Sequence, residues 1–101
     1  MIEVKNDSRI HETGNVLCEE ENYFFDSGSY VDGNFHSNYE IYCVVSQAER
    51  KIYVMDFKVL QANYKKGEFK AIHHPEQISY CYMLPLYIVK RYGGLIAEVS
   101  Y

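Results

Sequence analysis

Two neighbouring runs of β-branched and aromatic residues are the feature that most constrains the fold. Residues 39–46 (YEIYCVVS) and 51–60 (KIYVMDFKVL) flank a four-residue polar segment. Such runs, separated by a loop of about three to five residues, are typical of a β-hairpin. Both faces of each run are partly apolar, which indicates a hairpin at the centre of a sheet rather than at its edge.

The C-terminal third of the chain divides at Pro85. A single helix through this proline would lose a backbone hydrogen bond and clash with the preceding turn, at about 3 kcal/mol. We therefore predict two elements. Residues 78–84 fit a strand or a helix equally well, whereas the segment after Pro85 is predicted to be a short helix that ends near Tyr92 with Gly93 as its cap. Residues 95–101 are expected to form a closing strand.

The N-terminal half gives weaker signals. Ile2 and Val4 alternate with polar residues and fit a short edge strand. Residues 15–25 (NVLCEEENYFF) are interpreted as two short strands joined by an acidic loop, because three successive acids are unfavourable inside a sheet. A bulged or exposed edge strand is the alternative, since charge on an edge discourages aggregation. Residues 26–38 are rich in turn-forming residues and are predicted to be a loop. A hairpin turn is predicted within residues 61–70, followed by a strand to residue 73.

Together these elements predict one α+β domain over residues 1–101. The expected architecture is an antiparallel sheet of about five strands with a short C-terminal helix packed on one face. A chain of 101 residues that is 48% hydrophobic and 24% charged falls within the range of single globular domains.

The cysteine content and the N-terminal residues favour a cytoplasmic location. Cys18, Cys43 and Cys81 are odd in number and form no CxxC pair, which favours reduced thiols that act as small core residues. The first residues are polar and mixed in charge, unlike a signal peptide. No apolar run reaches the length of about 18 residues that a membrane span needs. We therefore expect a cytoplasmic protein that does not associate with a membrane.

Catalytic and metal-binding patterns are weak. His73, His74 and Glu76, with Cys81 nearby, are the closest approach to a metal-ligand cluster, but adjacent histidines in a strand point to opposite faces. We therefore predict no catalytic residue, no metal and no cofactor. A small metal-dependent or cysteine-dependent enzyme is kept as the third functional hypothesis.

The charge of −4 is unevenly distributed. Residues 1–50 carry ten acids and three bases, which gives −7, and residues 51–101 carry four acids and seven bases, which gives +3. An acidic half repels phosphates and favours a basic protein partner. The chain also has eleven tyrosines and no tryptophan, and tyrosine is enriched at interface hot spots.

These observations predict a non-enzymatic protein-binding module whose partner has a basic surface. The predicted binding residues are the acids and aromatics of the N-terminal half: Glu19, Glu20, Glu21, Tyr23, Asp26, Tyr30, Asp32 and Phe35. In size, acidity and absence of catalytic motifs the chain resembles small virus-encoded inhibitors of bacterial defence, such as anti-CRISPR proteins. That resemblance of type implies an inhibitor of a host defence protein.

The alternative hypothesis is nucleic-acid or nucleotide binding through lysines interleaved with aromatic residues. Aromatic rings beside lysines on strands can stack bases while the lysines contact phosphates. The residues predicted for this surface are Lys51, Lys58, Tyr64, Lys65, Lys66 and Lys70. The net negative charge places it second. A homo-oligomer is also compatible with a tyrosine-rich sheet face.

Overall fold

The computed structural model describes all 101 residues and contains eight strands and three short helices. The strands are β1 (Ile2–Asn6), β2 (Asn15–Phe24), β3 (Ser29–Asp32), β4 (Ile41–Ser46), β5 (Lys51–Asp56), β6 (Glu68–His73), β7 (Gln77–Pro85) and β8 (Leu95–Ser100). The helices are α1 (Ile10–Thr13), α2 (Phe57–Asn63) and α3 (Leu86–Arg91), with single 3-10 turns at Asn34–His36 and Tyr64–Lys66. None of the helices has the length and apolar character to cross a membrane.

The strands form two sheets of four. Sheet A has the order β1-β4-β5-β8 and sheet B has the order β3-β2-β7-β6. All neighbouring strands are antiparallel except β1 and β4. A strand-rich α+β fold is therefore confirmed, whereas the prediction of a single sheet of about five strands is wrong. The chain crosses between the sheets four times, and α1, the two 3-10 turns with α2, and α3 lie at those crossings.

The predicted hairpin is confirmed as β4 and β5, the two central strands of sheet A. Its second strand is shorter than expected, because the chain turns into α2 at Asp56. The carboxylate of Asp56 accepts hydrogen bonds from the backbone N–H groups of Lys58 at 3.1 Å and Val59 at 3.3 Å. This N-cap satisfies the first free donors of the helix. The buried side chains of Phe57 and Leu60 then follow helical spacing.

The C-terminal elements match the sequence pattern closely. β7 is a strand that ends at Pro85, so the open choice for residues 78–84 is decided for a strand. The short helix α3 and the strand β8 follow as predicted. Gly93 adopts a left-handed conformation, with φ of 73°, as expected for a residue that ends a helix.

The N-terminal predictions are less successful. β2 is one strand of ten residues that includes all three glutamates, so the predicted acidic loop between two strands is wrong. The predicted loop at residues 26–38 contains β3 and a 3-10 turn. A helix, α2, precedes residues 64–67, so β6 is not the second arm of a hairpin, although it is a strand as expected.

Both sheets and all three helices contribute to one hydrophobic core. Its members are Ile10, Val16, Cys18, Tyr42, Val44, Tyr53, Met55, Phe57, Leu60, Tyr64, Leu84 and Val89. Two buried tyrosines differ in how their hydroxyl groups are satisfied. The hydroxyl of Tyr42 donates to the carbonyl of Leu17 at 3.1 Å and so links the two sheets. The hydroxyl of Tyr64 is buried without a hydrogen-bond partner.

This contrast predicts opposite effects of the same substitution. Tyr64→Phe removes an unsatisfied buried hydroxyl and should raise the free energy of unfolding by about 1 kcal/mol. Tyr42→Phe removes a hydrogen bond, leaves the Leu17 carbonyl without that donor, and should lower it by about 1 kcal/mol. Urea denaturation of both variants measures the two shifts. A loss of stability in Tyr64→Phe would show that its hydroxyl has a partner.

Candidate functional site

A β-bulge in β2 determines which side chains the strand presents. Glu19 pairs with Cys81 and Glu21 pairs with Tyr80, so Glu20 is an extra residue in the ladder. Because side chains alternate between the two faces of a sheet, one inserted residue moves every later side chain to the opposite face. Glu21 and Tyr23 therefore share the face of Val16 and Cys18, and Glu19 lies on the other face.

The polar groups freed by the bulge are satisfied by the segment after β3. The Asn34 side-chain oxygen accepts from the Glu19 backbone N–H at 2.8 Å, and the Gly33 N–H donates to the Glu20 carbonyl at 2.9 Å. A Cβ atom at Gly33 would clash with the Glu19 carbonyl oxygen, so this close approach requires glycine. The Glu20 carboxylate in turn contacts the His36 ring at 2.8 Å. The bulge is thus a fixed part of the fold.

Beyond the bulge, one face of sheet B carries a chain of aromatic rings. Neighbouring ring centroids lie 4.9 Å apart for Tyr23 and Tyr30, 6.5 Å for Tyr30 and Tyr80, and 6.4 Å for Tyr80 and Phe69. Phe25 extends the chain past Tyr23 at 5.8 Å. These separations are typical of interacting aromatic pairs. The rings come from four strands or their ends, yet they form one continuous surface.

This aromatic surface is open to solvent. Tyr30 is 60% exposed and Phe69 is 55% exposed, and Phe25 is also exposed. Exposing aromatic side chains to water is unfavourable. A contiguous group of exposed aromatic residues marks an interaction site more often than single exposed residues do.

Two carboxylates border the rings. Glu21 and Asp32 lie directly opposite each other on β2 and β3, and Glu21 also pairs with Tyr80. Neither carboxylate takes part in any ion pair of the structure. Like charges directly across a strand pair are unfavourable. We call this surface the aromatic–acidic face; it consists of Glu21, Tyr23, Phe25, Tyr30, Asp32, Phe69 and Tyr80.

The eight residues predicted for partner binding divide into three groups. Glu21, Tyr23, Tyr30 and Asp32 lie on the aromatic–acidic face, and Asp26 lies in the turn beside it. Glu20 and Phe35 lie at its border, where the Phe35 ring packs 5.0 Å from Tyr82 and is half-buried.

Glu19 lies on the opposite face of the sheet, where it has structural partners. Its carboxylate accepts hydrogen bonds from Lys5 at 2.9 Å and from Asn22 at 3.0 Å. Burial acts to raise the pKa of Glu19, but these hydrogen bonds outweigh it and hold the pKa below its ordinary value. The Lys5 contact also joins sheet A to sheet B.

Three residues of the aromatic–acidic face were not predicted. Phe25, Phe69 and Tyr80 lie outside the predicted set, and the last two follow β2 by more than forty residues in the chain. Only the pairing of β2 with β7 and of β7 with β6 brings them to the same face. The alternation of aromatic residues in YCYML indicates a strand face, but it does not indicate which neighbouring strand completes that face.

The residues of the alternative nucleic-acid hypothesis are dispersed. Tyr64 is buried in the core and cannot stack on a base in this conformation. Lys51 lies in sheet A near Glu98, and Lys58 contacts Asn38 at the start of α2. The remaining lysines also separate: Lys65 is exposed, Lys66 lies over the Tyr92 ring, and Lys70 projects from sheet B on the face opposite Phe69.

All three thiols are buried or half-buried. Burial raises the pKa of Cys18 and Cys43, and it raises the pKa of Cys81 to about 11. All three are therefore protonated at neutral pH, which disfavours a thiolate nucleophile. No group of three or more His, Cys, Asp or Glu side chains has an arrangement that could hold a metal ion.

Comparison of the chain with protein-family models, with curated proteins and with solved structures gave no match.

The opposition of Glu21 and Asp32 predicts that neutralising one of them stabilises the protein. Asp32→Asn should raise the free energy of unfolding by about 0.5 kcal/mol, because it removes repulsion across the strand pair. Glu21→Gln/Asp32→Asn should add little further, since either change removes the same repulsion. Urea denaturation measures both. Asp26→Asn, in the exposed turn, is the matched control and should have no effect; a destabilised Asp32→Asn would contradict this interpretation.

Neutralising Glu19 should instead destabilise the protein, and the size of this effect should depend on pH. Its folded pKa is lowered, so its stabilisation is complete above the ordinary value of 4.5 and is lost as the pH falls through the folded value. Glu19→Gln should therefore destabilise the protein by about 1 kcal/mol at pH 7, and the difference from wild type should shrink below pH 4.5. Urea denaturation from pH 3 to 7 tests this, and a difference that is constant with pH would contradict it.

Proposed function

We propose that the protein is a non-enzymatic binding module that engages a basic protein surface through the aromatic–acidic face. The observation that carries this proposal is the juxtaposition of five interacting rings with two unpaired carboxylates in direct opposition. Rings and carboxylates of this kind complement the guanidinium group of arginine. Arginine stacks flat on aromatic faces and binds carboxylates through two parallel hydrogen bonds.

The carboxylates favour a cation from outside the chain. Glu21 and Asp32 have no internal cation and repel each other, so a positive charge from a partner would gain two attractions and relieve one repulsion. Around these charges, Tyr30 and Phe69 offer exposed apolar area that a partner could exclude from water. An anchor of this type, surrounded by aromatic contacts, resembles the hot spots of protein interfaces.

The face is also preorganised. Most of its side chains project from strands, and the bulge that orients Glu21 and Tyr23 is held by Asn34 and Gly33. Aromatic side chains have only two rotatable bonds, so ordering them on binding costs little entropy. A partner would therefore meet a surface that needs little rearrangement.

The small size and the negative charge of the chain favour a more specific function, which is inhibition of a host defence protein. Proteins that handle nucleic acid present basic grooves, and carboxylates beside aromatic rings could occupy such a groove in place of phosphates and bases. The chain would then act by covering the groove and would need no catalytic group.

A titration with a hexa-arginine peptide, followed by NMR at low salt, tests the proposal. The ring resonances of Tyr23, Tyr30, Phe69 and Tyr80 should shift in a saturable manner. A hexa-lysine peptide of equal charge should bind several-fold more weakly, because an ammonium group cannot stack or bind a carboxylate in the planar bidentate manner. Added salt should weaken both interactions.

Substitutions on the face give the second part of the test. Tyr30→Ala and Asp32→Lys should each weaken hexa-arginine binding by about tenfold. Tyr87→Ala removes a tyrosine that is exposed on α3 and is the matched control, with no expected effect. Equal losses in all three variants, or shifts confined to other surfaces, would refute the proposal. Tight binding of a single-stranded oligonucleotide, abolished by Lys65→Glu/Lys66→Glu, would favour the alternative hypothesis instead.

A further inference from the structure

The outer face of sheet A is aliphatic and uncovered. The strand register aligns its side chains in rows, of which Val4, Cys43, Val54 and Ala97 form the middle one. The flanking rows complete the surface, which consists of Ile2, Val4, Ile41, Cys43, Val45, Ile52, Val54, Ala97 and Val99. We call this set the aliphatic face. It lies on the side of sheet A that faces away from the core.

Charged groups are confined to the ends of the rows. Asp56 ends the row of Ile2 and Ile41, but its carboxylate is engaged in capping α2. Asn6 ends the opposite row and is uncharged. At the edge of the sheet Ile2 and Val4 are 61% and 60% exposed. A surface of this composition excludes a charged or strongly hydrated occupant.

We propose that the aliphatic face binds the same face of a second copy of this chain, so that the protein is a face-to-face homodimer. Homodimer interfaces are more apolar than those of partners that also exist apart. The aliphatic face contains only aliphatic side chains and the Cys43 thiol. It also has no charge that could select a different partner, whereas an uncharged face is electrostatically complementary to itself.

The size of the face reaches the lower bound for a specific interface. Four strands about 4.8 Å apart, each contributing about five residues of about 3.3 Å, give a plane of about 19 by 16 Å. Two such planes in contact cover about 600 Å², and the side chains that project from them raise the buried surface to at most about 1,000 Å², which is the lower bound for specific interfaces.

The two edges of the face differ in a way that favours a twofold arrangement. A twofold axis parallel to the strands places β1 of one copy over β8 of the other and β4 over β5. The bulky Val4 then lies opposite the smaller Ala97, so that a large and a small side chain can interdigitate. The interface would be a second core about 10 Å thick, as in stacked sheets generally.

The dimer leaves the aromatic–acidic face free. The aromatic–acidic face belongs to sheet B and shares no residue with the aliphatic face of sheet A, so the dimer interface would not include it. A dimer would therefore present two of them. The inference does not depend on the proposed function, since it rests on a different sheet and on residues of a different kind.

Sedimentation of the wild-type chain over a wide concentration range tests this proposal. We expect a species of twice the 11.9 kDa monomer mass at micromolar concentrations. Val4→Lys and Val99→Lys should each weaken dimerisation by at least about a hundredfold. Both valines are exposed in the monomer, so the lysines would be solvated there and folding should be retained. Val31→Lys, at an exposed valine of β3, is the matched control and should remain dimeric.

The Cys43 thiol gives an independent measurement. Cys18 and Cys81 are buried in the monomer, whereas Cys43 is half-buried within the aliphatic face. Its labelling by a thiol reagent should slow as wild-type concentration rises and should not do so in Val4→Lys. A wild-type chain that remains monomeric at all concentrations would overturn the proposal. A dimer that survives both Val4→Lys and Val99→Lys would overturn it as well.

Discussion

The extra residue at Glu20 is the constraint on which the surface of this protein depends. If the same sequence formed a regular strand with no bulge, Asn22 and Phe24 would occupy the face that Glu21 and Tyr23 now share with Val16 and Cys18, because side chains alternate along a strand. The first half of β2 could still contribute to the core, but the second half would not join Tyr80 and Phe69. The contacts from Gly33 and Asn34 maintain the bulge and also position β3, which carries Tyr30 and Asp32. One local irregularity thus links the core to the candidate binding surface.

The fold was predictable where local sequence determines local structure. The central hairpin, the break at Pro85 and the glycine that ends α3 follow from strand propensity, proline geometry and the left-handed conformation of Gly93. The division into two sheets was not predictable, since strand patterns do not specify which strands are neighbours. Asp56 is an example: it lies within a run of strand-forming residues, yet its side chain caps a helix that begins at Phe57.

The candidate site was predictable only for residues close together in the chain. Tyr23 and Tyr30 belong to strands that are neighbours in the chain, so the local cluster of acidic and aromatic residues in the sequence indicates both. Phe69 and Tyr80 join them through pairing over long sequence distances, which local patterns do not encode. The bulge separates Glu19 from Glu21, and a run of three identical residues gives no indication that the first has a structural role and the third faces a binding surface.

Aromatic side chains from β2, β3, β6 and β7 form one surface beside Glu21. The most direct measurement is the nuclear Overhauser effect between their ring protons in the free protein. The structure predicts cross-peaks from Tyr80 to both Tyr30 and Phe69, and from Tyr23 to Tyr30. A spectrum in which Tyr80 lacks contacts to Tyr30 and Phe69 would contradict the register across the bulge, and the proposed binding surface would not exist.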